Sequence, residues 1–195
     1  SKSIFSFKGI PFAAPPVGQW RWREPQPVTG WSGIRDAGSF GNACIQKPGL
    51  SDKNGGNPGA LSEDCLYLNV WTPVLQEGGK LPVMVWIHGG GLVFGSGGVP
   101  GYGGDSLAKR GAVIVSVNYR MGPLGFFSHP ALDAERTGFK NFGLLEQIAA
   151  LKWVQKNISA FGGDANNVTV FGQSAGAESV LALYSSPLAR GLFHK

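Results

Sequence analysis

The stretch VTVFGQSAGAESV, residues 168–180, decides the fold, because its periodicity changes in the middle. Val168, Thr169 and Val170 are β-branched and read as a strand, the chain pinches at Gly172, and after Gly176 the residues favour a helix. One hydroxyl, that of Ser174, stands between the two glycines. A strand that ends in Gly-x-Ser-x-Gly and turns straight into a helix has the layout of a nucleophile elbow. There the serine occupies a strained turn, and glycines two positions to either side avoid a collision where helix and strand cross. The helix N-terminus beneath the serine also favours developing negative charge. In a chain with 31 glycines the pentapeptide alone is a weak signal, and its placement between strand and helix is what gives it weight.

Upstream of the elbow the same alternation repeats. LPVMVWI (81–87) and AVIVSV (112–117) are continuous apolar runs of strand length, and DSLAKRG and NFGLLEQIAALKWVQKNISAFGG are helical. In the longer helix, over about 143–158, Leu144, Ile148, Leu151, Val154 and Ile158 form one apolar stripe. Lys152, Gln155, Lys156 and Asn157 fall mostly opposite, and the helix reads as plain crossover packing. Apolar strands alternating with helices predict an α/β fold with a mostly parallel sheet covered on both faces. The N-terminal third differs. SIFSFKG and CLYLNVW alternate with period two, and the proline-rich IPFAAPPVGQWRWREPQPV blocks regular structure between them, which predicts antiparallel hairpin or meander strands. Residues 46–62 read as a flexible loop.

Directly after strand 81–87 stands His88-Gly89-Gly90-Gly91. Acyl transfer develops charge on a tetrahedral oxyanion, and unobstructed backbone N–H groups in a glycine loop suit its stabilisation. With the elbow downstream, the pair points to a serine hydrolase site. A non-catalytic relative of such a fold, or an amidase or thioesterase, are the competing readings.

Composition excludes several other classes. The chain has 195 residues, 43% hydrophobic and 15% charged, as a globular domain should. Its net charge of +5 is spread over both halves without a basic cluster interleaved with aromatics, so no nucleic-acid surface is expected. No apolar run approaches the roughly 18 residues of a membrane span. Neither paired His/Cys spacing nor HExxH occurs, and the glycine-rich GSGGVPGYGGD (95–105) lacks the GK[ST] of a phosphate loop, so neither metal nor cofactor is expected. Cys44 and Cys65 are either bonded or two buried thiols. Secretion is favoured if they are oxidised. Trp20, Trp22 and Trp31 either line a pocket or pack loops, and His129 reads as a loop residue.

FKGIPFAAPPVGQWRW (7–22), SEDCLYLNVWTP (62–73), VMVWIHGGG (83–91), VNYRMGPLGFF (117–127), NFGLLEQIAALKWVQKNISAFGGD (141–164) and VTVFGQSAGA (168–177) carry a resemblance in that order. The chain resembles the N-terminal part of a type-B carboxylesterase, the cholinesterase-like branch of the α/β-hydrolase fold. The resemblance implies a small-molecule carboxylic ester as substrate. It makes Ser174 the acylated nucleophile and gives the oxyanion-hole N–H groups to Gly90, Gly91 and Ala175. It also implies a Cys44–Cys65 disulfide and a structural ion pair between Arg21 and Glu63. His88 then belongs to the scaffold of the oxyanion loop. Gln173 departs from the family pattern, where many members carry glutamate. The triad of this fold runs serine, acid, histidine in chain order. Only Glu178 and His194 follow Ser174, one on the nucleophile helix and one beside the terminus. Residues 1–195 are therefore expected to be the N-terminal part of a single α/β-hydrolase domain, truncated after the nucleophile helix and inactive by itself.

Overall fold

The computed structural model describes residues 3–50, 56–75, 78–134 and 140–195. Its strands are β1 (Phe5–Pro11), β2 (Ala43–Cys44), β3 (Leu61–Ser62), β4 (Tyr67–Thr72), β5 (Leu81–Ile87), β6 (Val113–Val117) and β7 (Gly163–Gly172). The α-helices are α1 (Asp105–Ala108), α2 (Gly122–Phe126), α3 (Pro130–Ala134), α4 (Phe142–Asn157) and α5 (Ala175–Ser185). Five strands form one sheet in the order β1-β4-β6-β5-β7, and β2 and β3 make a separate parallel pair. β1 and β4 are antiparallel, as are β4 and β6, whereas β5 is parallel to both β6 and β7. Four strands thus point one way and β4 runs against them. This is a mixed sheet with mostly parallel strands, as the alternation of apolar strands and helices predicts.

The N-terminal strands do pair, but not through a tight turn. β1 meets β4 directly, Phe5 opposite Thr72 and Pro11 opposite Tyr67, with residues 12–66 looping out between them. Seven prolines in residues 11–58 each lack the N–H a ladder needs, and the described residues between β1 and β4 form only the two-residue strands β2 and β3. The irregularity between Phe7 and Ile10 is satisfied by a side chain, the Gly9 N–H donating to Asn69 Oδ1 at 3.0 Å. Residues 51–55 of the loop at 46–62 lie outside the described residues.

The core sits on one face of the sheet. Leu68, Val70, Val83, Val85, Ile87, Val113, Val115, Val117, Val168 and Val170 all point there and pack with Ile148, Leu151 and Val154 of α4 and Leu183 of α5. Each such side chain contributes about 1.5–3 kcal/mol when fully buried. The opposite face differs from the expectation of cover on both sides. α1 and the residues around it bury Trp71 and Ile114, while Met84, Trp86 and Phe171 further across remain half-buried. There the ring of Tyr102, in the 3-10 turn Pro100–Tyr102, packs on Trp86 with centroids 5.1 Å apart.

α4 also carries more than apolar packing. Glu146 is fully buried on it, because the 142–146–150 spacing puts Glu146 on the same side as Phe142 and Ala150. No helix among the described residues is long and apolar enough to cross a membrane.

Candidate active site

The elbow is built by two close approaches. A Cβ on Gly172 would lie 2.5 Å from the Gly176 carbonyl carbon, and one on Gly176 would lie 2.1 Å from the Ile87 oxygen. Only glycine at both positions lets α5 cross β7 and β5 at this distance. The turn forces Ser174 to φ 55°, ψ −128°, a conformation that costs a non-glycine residue on the order of 1–3 kcal/mol. Serine at the position preceding a helix normally caps a backbone N–H, but here the side chain caps none. Ser174 is exposed, and its hydroxyl has no hydrogen-bond partner among the described residues. Strain in the backbone is what holds the oxygen clear of the helix end.

The glycine loop arrives at the same place. Ile87 is opposite Gly172 in the parallel β5–β7 register, so His88–Gly91 and Gln173–Ser174 leave from adjacent strand ends. These are carboxyl ends of parallel strands, where ligands bind in open α/β sheets. The fit is tight, since a Cβ on Gly89 would lie 2.5 Å from the Gln173 oxygen and 3.1 Å from Ser174 Cβ.

Three peptide planes at this junction are pinned through their carbonyls. His88 Nδ1 lies 2.8 Å from the Gly89 oxygen. The Gly90 oxygen accepts from the Val93 and Phe94 N–H groups at 3.0 and 3.1 Å. The Ser174 oxygen accepts from Ala177 and Glu178 at 2.8 and 3.1 Å. In a planar trans peptide the C=O and the following N–H point in opposite directions. Holding these carbonyls therefore fixes the N–H groups of Gly90, Gly91 and Ala175. None of the three donates a hydrogen bond among the described residues.

His88 is a buried prop rather than a solvated base. It stacks on Tyr119, ring centroids 4.4 Å apart and planes 16° from parallel, and the Tyr119 hydroxyl donates to the His88 carbonyl at 2.8 Å. Burial lowers its pKa to about 4, so at neutral pH the ring is uncharged. Because a carbonyl only accepts, Nδ1 carries the hydrogen, and the bare Nε2 is buried without a partner among the described residues. The other two histidines are engaged elsewhere. His129 Nδ1 accepts from the Ala131 N–H at 3.1 Å, and His194 Nδ1 accepts from the Val168 N–H at 3.2 Å, midway along β7. Thus none of the chain's three histidines bonds the Ser174 hydroxyl.

Further from the serine, Cys44 and Cys65 form a buried disulfide with Cα atoms 4.9 Å apart. Arg21 and Glu63 meet in a two-pronged pair, Nε to Oε2 and Nη2 to Oε1, both at 2.6 Å. Trp22 packs a loop, its Nε1 donating to the Pro123 oxygen at 2.8 Å and its ring lying 5.8 Å from Phe127. Two features escape a reading by periodicity. Arg120, buried after β6, pairs with Glu146 of α4 and also donates to the carbonyls of Trp20 and Arg23. Burial raises the Glu146 carboxyl while the Arg120 guanidinium opposes that rise. A separate set of buried polar side chains holds the backbone of the segment that follows the glycine loop: Gln46 pairs with Gly95, Asn118 Oδ1 accepts from the Gly97 N–H, and the Ser116 hydroxyl, which accepts from Asn69, donates to the Gly97 oxygen. The signal for Glu146 is its position on the buried side of α4; the others lie too far from their partners in sequence to leave one.

Residues 1–195 match the Carboxylesterase family. The chain is 52% identical over 194 residues to the fumonisin B1 esterase of Sphingopyxis macrogoltabida, with 98% of this chain and 36% of that protein covered. It is 49% identical over 193 residues to the para-nitrobenzyl esterase of Bacillus subtilis, covering 98% of this chain and 39% of that one. A solved thermophilic PNB esterase superposes with a TM-score of 0.92 at 47% identity, over all of this chain and 40% of its own. The chain therefore spans well under half the length of the curated relatives it matches.

Proposed function

The chain belongs to the carboxylesterase family, and from that premise we propose that it forms the nucleophile half of an ester hydrolase working through an acyl-enzyme on Ser174. Ser174 Oγ attacks the ester carbonyl carbon and gives its proton to a base. The carbonyl oxygen becomes an oxyanion, which the N–H groups of Gly90, Gly91 and Ala175 receive. Collapse expels the alcohol, which takes up the proton, and leaves the acyl group on Ser174. Water then attacks the acyl carbon by the same route and releases the acid. Donors held in place before the reaction need no reorganisation at the transition state, and removing one costs about 2.7–4 kcal/mol of barrier. The observation that carries this reading is Ser174 itself, strained at φ 55° with a hydroxyl that has no hydrogen-bond partner among the described residues, beside a pinned glycine loop.

The base is the missing part. His88 is committed to Gly89, and His129 and His194 to backbone N–H groups away from the serine. We infer that a histidine and the acid orienting it come from a further segment of the same protein, as the length of the relatives allows. The complete enzyme below means this sequence together with that segment. Residues 1–195 alone should turn over an activated ester poorly, because loss of the base removes several powers of ten and the oxyanion donors retain only roughly 10³–10⁴-fold over water. The test compares the complete enzyme with its Ser174→Ala variant on p-nitrophenyl acetate. Turnover abolished in a folded variant supports the nucleophile; turnover retained removes it.

A further inference from the structure

We propose that Gln46, inside the loop closed by the Cys44–Cys65 bridge and two residues after Cys44, is a positioning residue for the oxyanion donors. Its side chain is nearly fully buried and makes three hydrogen bonds, all to backbone. Oε1 accepts from the Gly95 N–H at 2.9 Å, and Nε2 donates to the Gly95 oxygen at 2.8 Å and to the Cys44 oxygen at 3.1 Å. The amide thus pairs with both polar groups of one residue, as a neighbouring strand would, and only one orientation of the amide satisfies both. Gln46 and Gly95 are 49 residues apart, so this is a built contact between two loops.

Gly95 lies against the bond that sets the Gly90 donor. Built on Gly95, a Cβ would stand 2.4 Å from His88 Nδ1 and 2.8 Å from the Gly89 oxygen. These two atoms form the hydrogen bond that fixes the 89–90 peptide, and the N–H of that peptide is Gly90's. On the preceding side, the Phe94 N–H donates to the Gly90 oxygen and fixes the next peptide, whose N–H is Gly91's. Clamping Gly95 therefore holds the far wall of the loop against both donor peptides. The clamp is itself anchored, because Cys44 is tied through its disulfide to Cys65, two residues before β4. Gln46 touches neither Ser174 nor substrate; it acts through Gly95 and His88.

This inference rests on the acyl-transfer reading, and the experiment separates the two. In the complete enzyme, Gln46→Met keeps the length of the side chain and removes all three bonds, while Gln46→Glu keeps an acceptor for the Gly95 N–H and loses the donors. Gln155→Met is the control, since Gln155 bridges the Ala165 and Leu192 carbonyls away from the loop. With p-nitrophenyl acetate, Gln46→Met should lower kcat by roughly 10-fold to 100-fold, short of the roughly 10²–10³ for outright removal of a donor. KM should move by less than about threefold, because the donors act in the transition state. Gln46→Glu should fall between, and Gln155→Met should keep kcat at whatever cost in stability. A folded Gln46→Met enzyme with wild-type kcat, a loss confined to KM, or an equal kcat loss in Gln155→Met would each overturn the role. If Gln46→Met does not fold, Gln46→Glu decides: unchanged kcat overturns the role and a lowered kcat supports it. Full activity in Ser174→Ala would instead sink the acyl-transfer reading, whatever Gln46 does.

Discussion

Ile87 and Gly172 stand opposite each other at the last paired position of β5 and β7. From that one register position the glycine loop leaves on one strand and the strained serine on the other. A shift of one residue in either strand would turn every side chain of that strand to the wrong face, so the hydrophobic core itself enforces the register of the site. The core and the chemistry are thus set by the same pairing.

The tightest point of that arrangement is Gly176. Its missing Cβ would fall 2.1 Å from the Ile87 oxygen, a backbone atom of a central strand that cannot swing aside. Gly176→Ala should therefore destabilise by at least the roughly 1–3 kcal/mol typical of overpacking, and it should displace Ser174 as α5 lifts from the sheet. Urea unfolding of the variant gives the answer; a midpoint equal to that of the parent would contradict the close crossing.

His88 makes a pH prediction. Its folded pKa of about 4 lies below the unfolded value of roughly 6.5. Between these values the unfolded chain binds the proton and the folded one does not. The contribution of His88 is thus fully present above pH 6.5 and is lost as pH falls toward 4, by on the order of 3 kcal/mol in total. His88→Asn keeps a donor for the Gly89 oxygen but cannot titrate. Urea midpoints measured between pH 7 and 4.5 should fall less steeply for His88→Asn than for the parent, and equal slopes would count against a buried neutral imidazole.

Breaking the Arg120–Glu146 pair should be costly. Both side chains are buried, and Glu146→Ala leaves an uncompensated guanidinium, a change that typically costs about 3–5 kcal/mol. Replacing both partners, Arg120→Met with Glu146→Leu, should recover part of that loss, although the Trp20 and Arg23 carbonyls would still lose their donor. A double-mutant cycle by denaturant unfolding tests it, and additive losses would show that the two groups do not act as a pair.

The elbow was readable from sequence because its glycines answer a local crossing, five residues long, and the strands on either side are apolar enough to declare themselves. His88–Gly91 was readable for the same reason, lying directly against the end of β5. The β1–β4 pairing was only half readable. Alternation identified both strands, but no local signal says that Phe5 meets Thr72 across a proline-rich excursion. Glu146 escapes the stripe through Leu144, Ile148 and Leu151 because a charged residue does not count toward it; its spacing from Phe142 and Ala150 puts it on the buried side, while the partner that neutralises it, Arg120, is 26 residues earlier. Gln46 was invisible for a like reason. Its partner is a glycine 49 residues away, and backbone groups leave no pattern in sequence.

The Cys44–Cys65 bridge closes a loop of 21 residues and should contribute about 3 kcal/mol in the chain-entropy account. Cys44→Ser with Cys65→Ser, or reduction with dithiothreitol, should lower the unfolding midpoint accordingly. An unchanged midpoint after reduction would mean that the Arg21–Glu63 pair and the Gln46 contacts hold the loop unaided.

Covalent labelling of the complete enzyme by an alkyl fluorophosphonate tests the central claim most directly. The phosphorus mimics the acyl carbon, the attacking hydroxyl displaces fluoride, and the adduct stays on the nucleophile for peptide mass spectrometry. The account predicts one equivalent of adduct, located on Ser174 in the peptide around VFGQSAGAES, with esterase activity lost in step with labelling and no adduct in Ser174→Ala. Stoichiometric labelling of another residue with concurrent loss of activity, or a fully labelled Ser174 in an enzyme that still turns over ester, would contradict it.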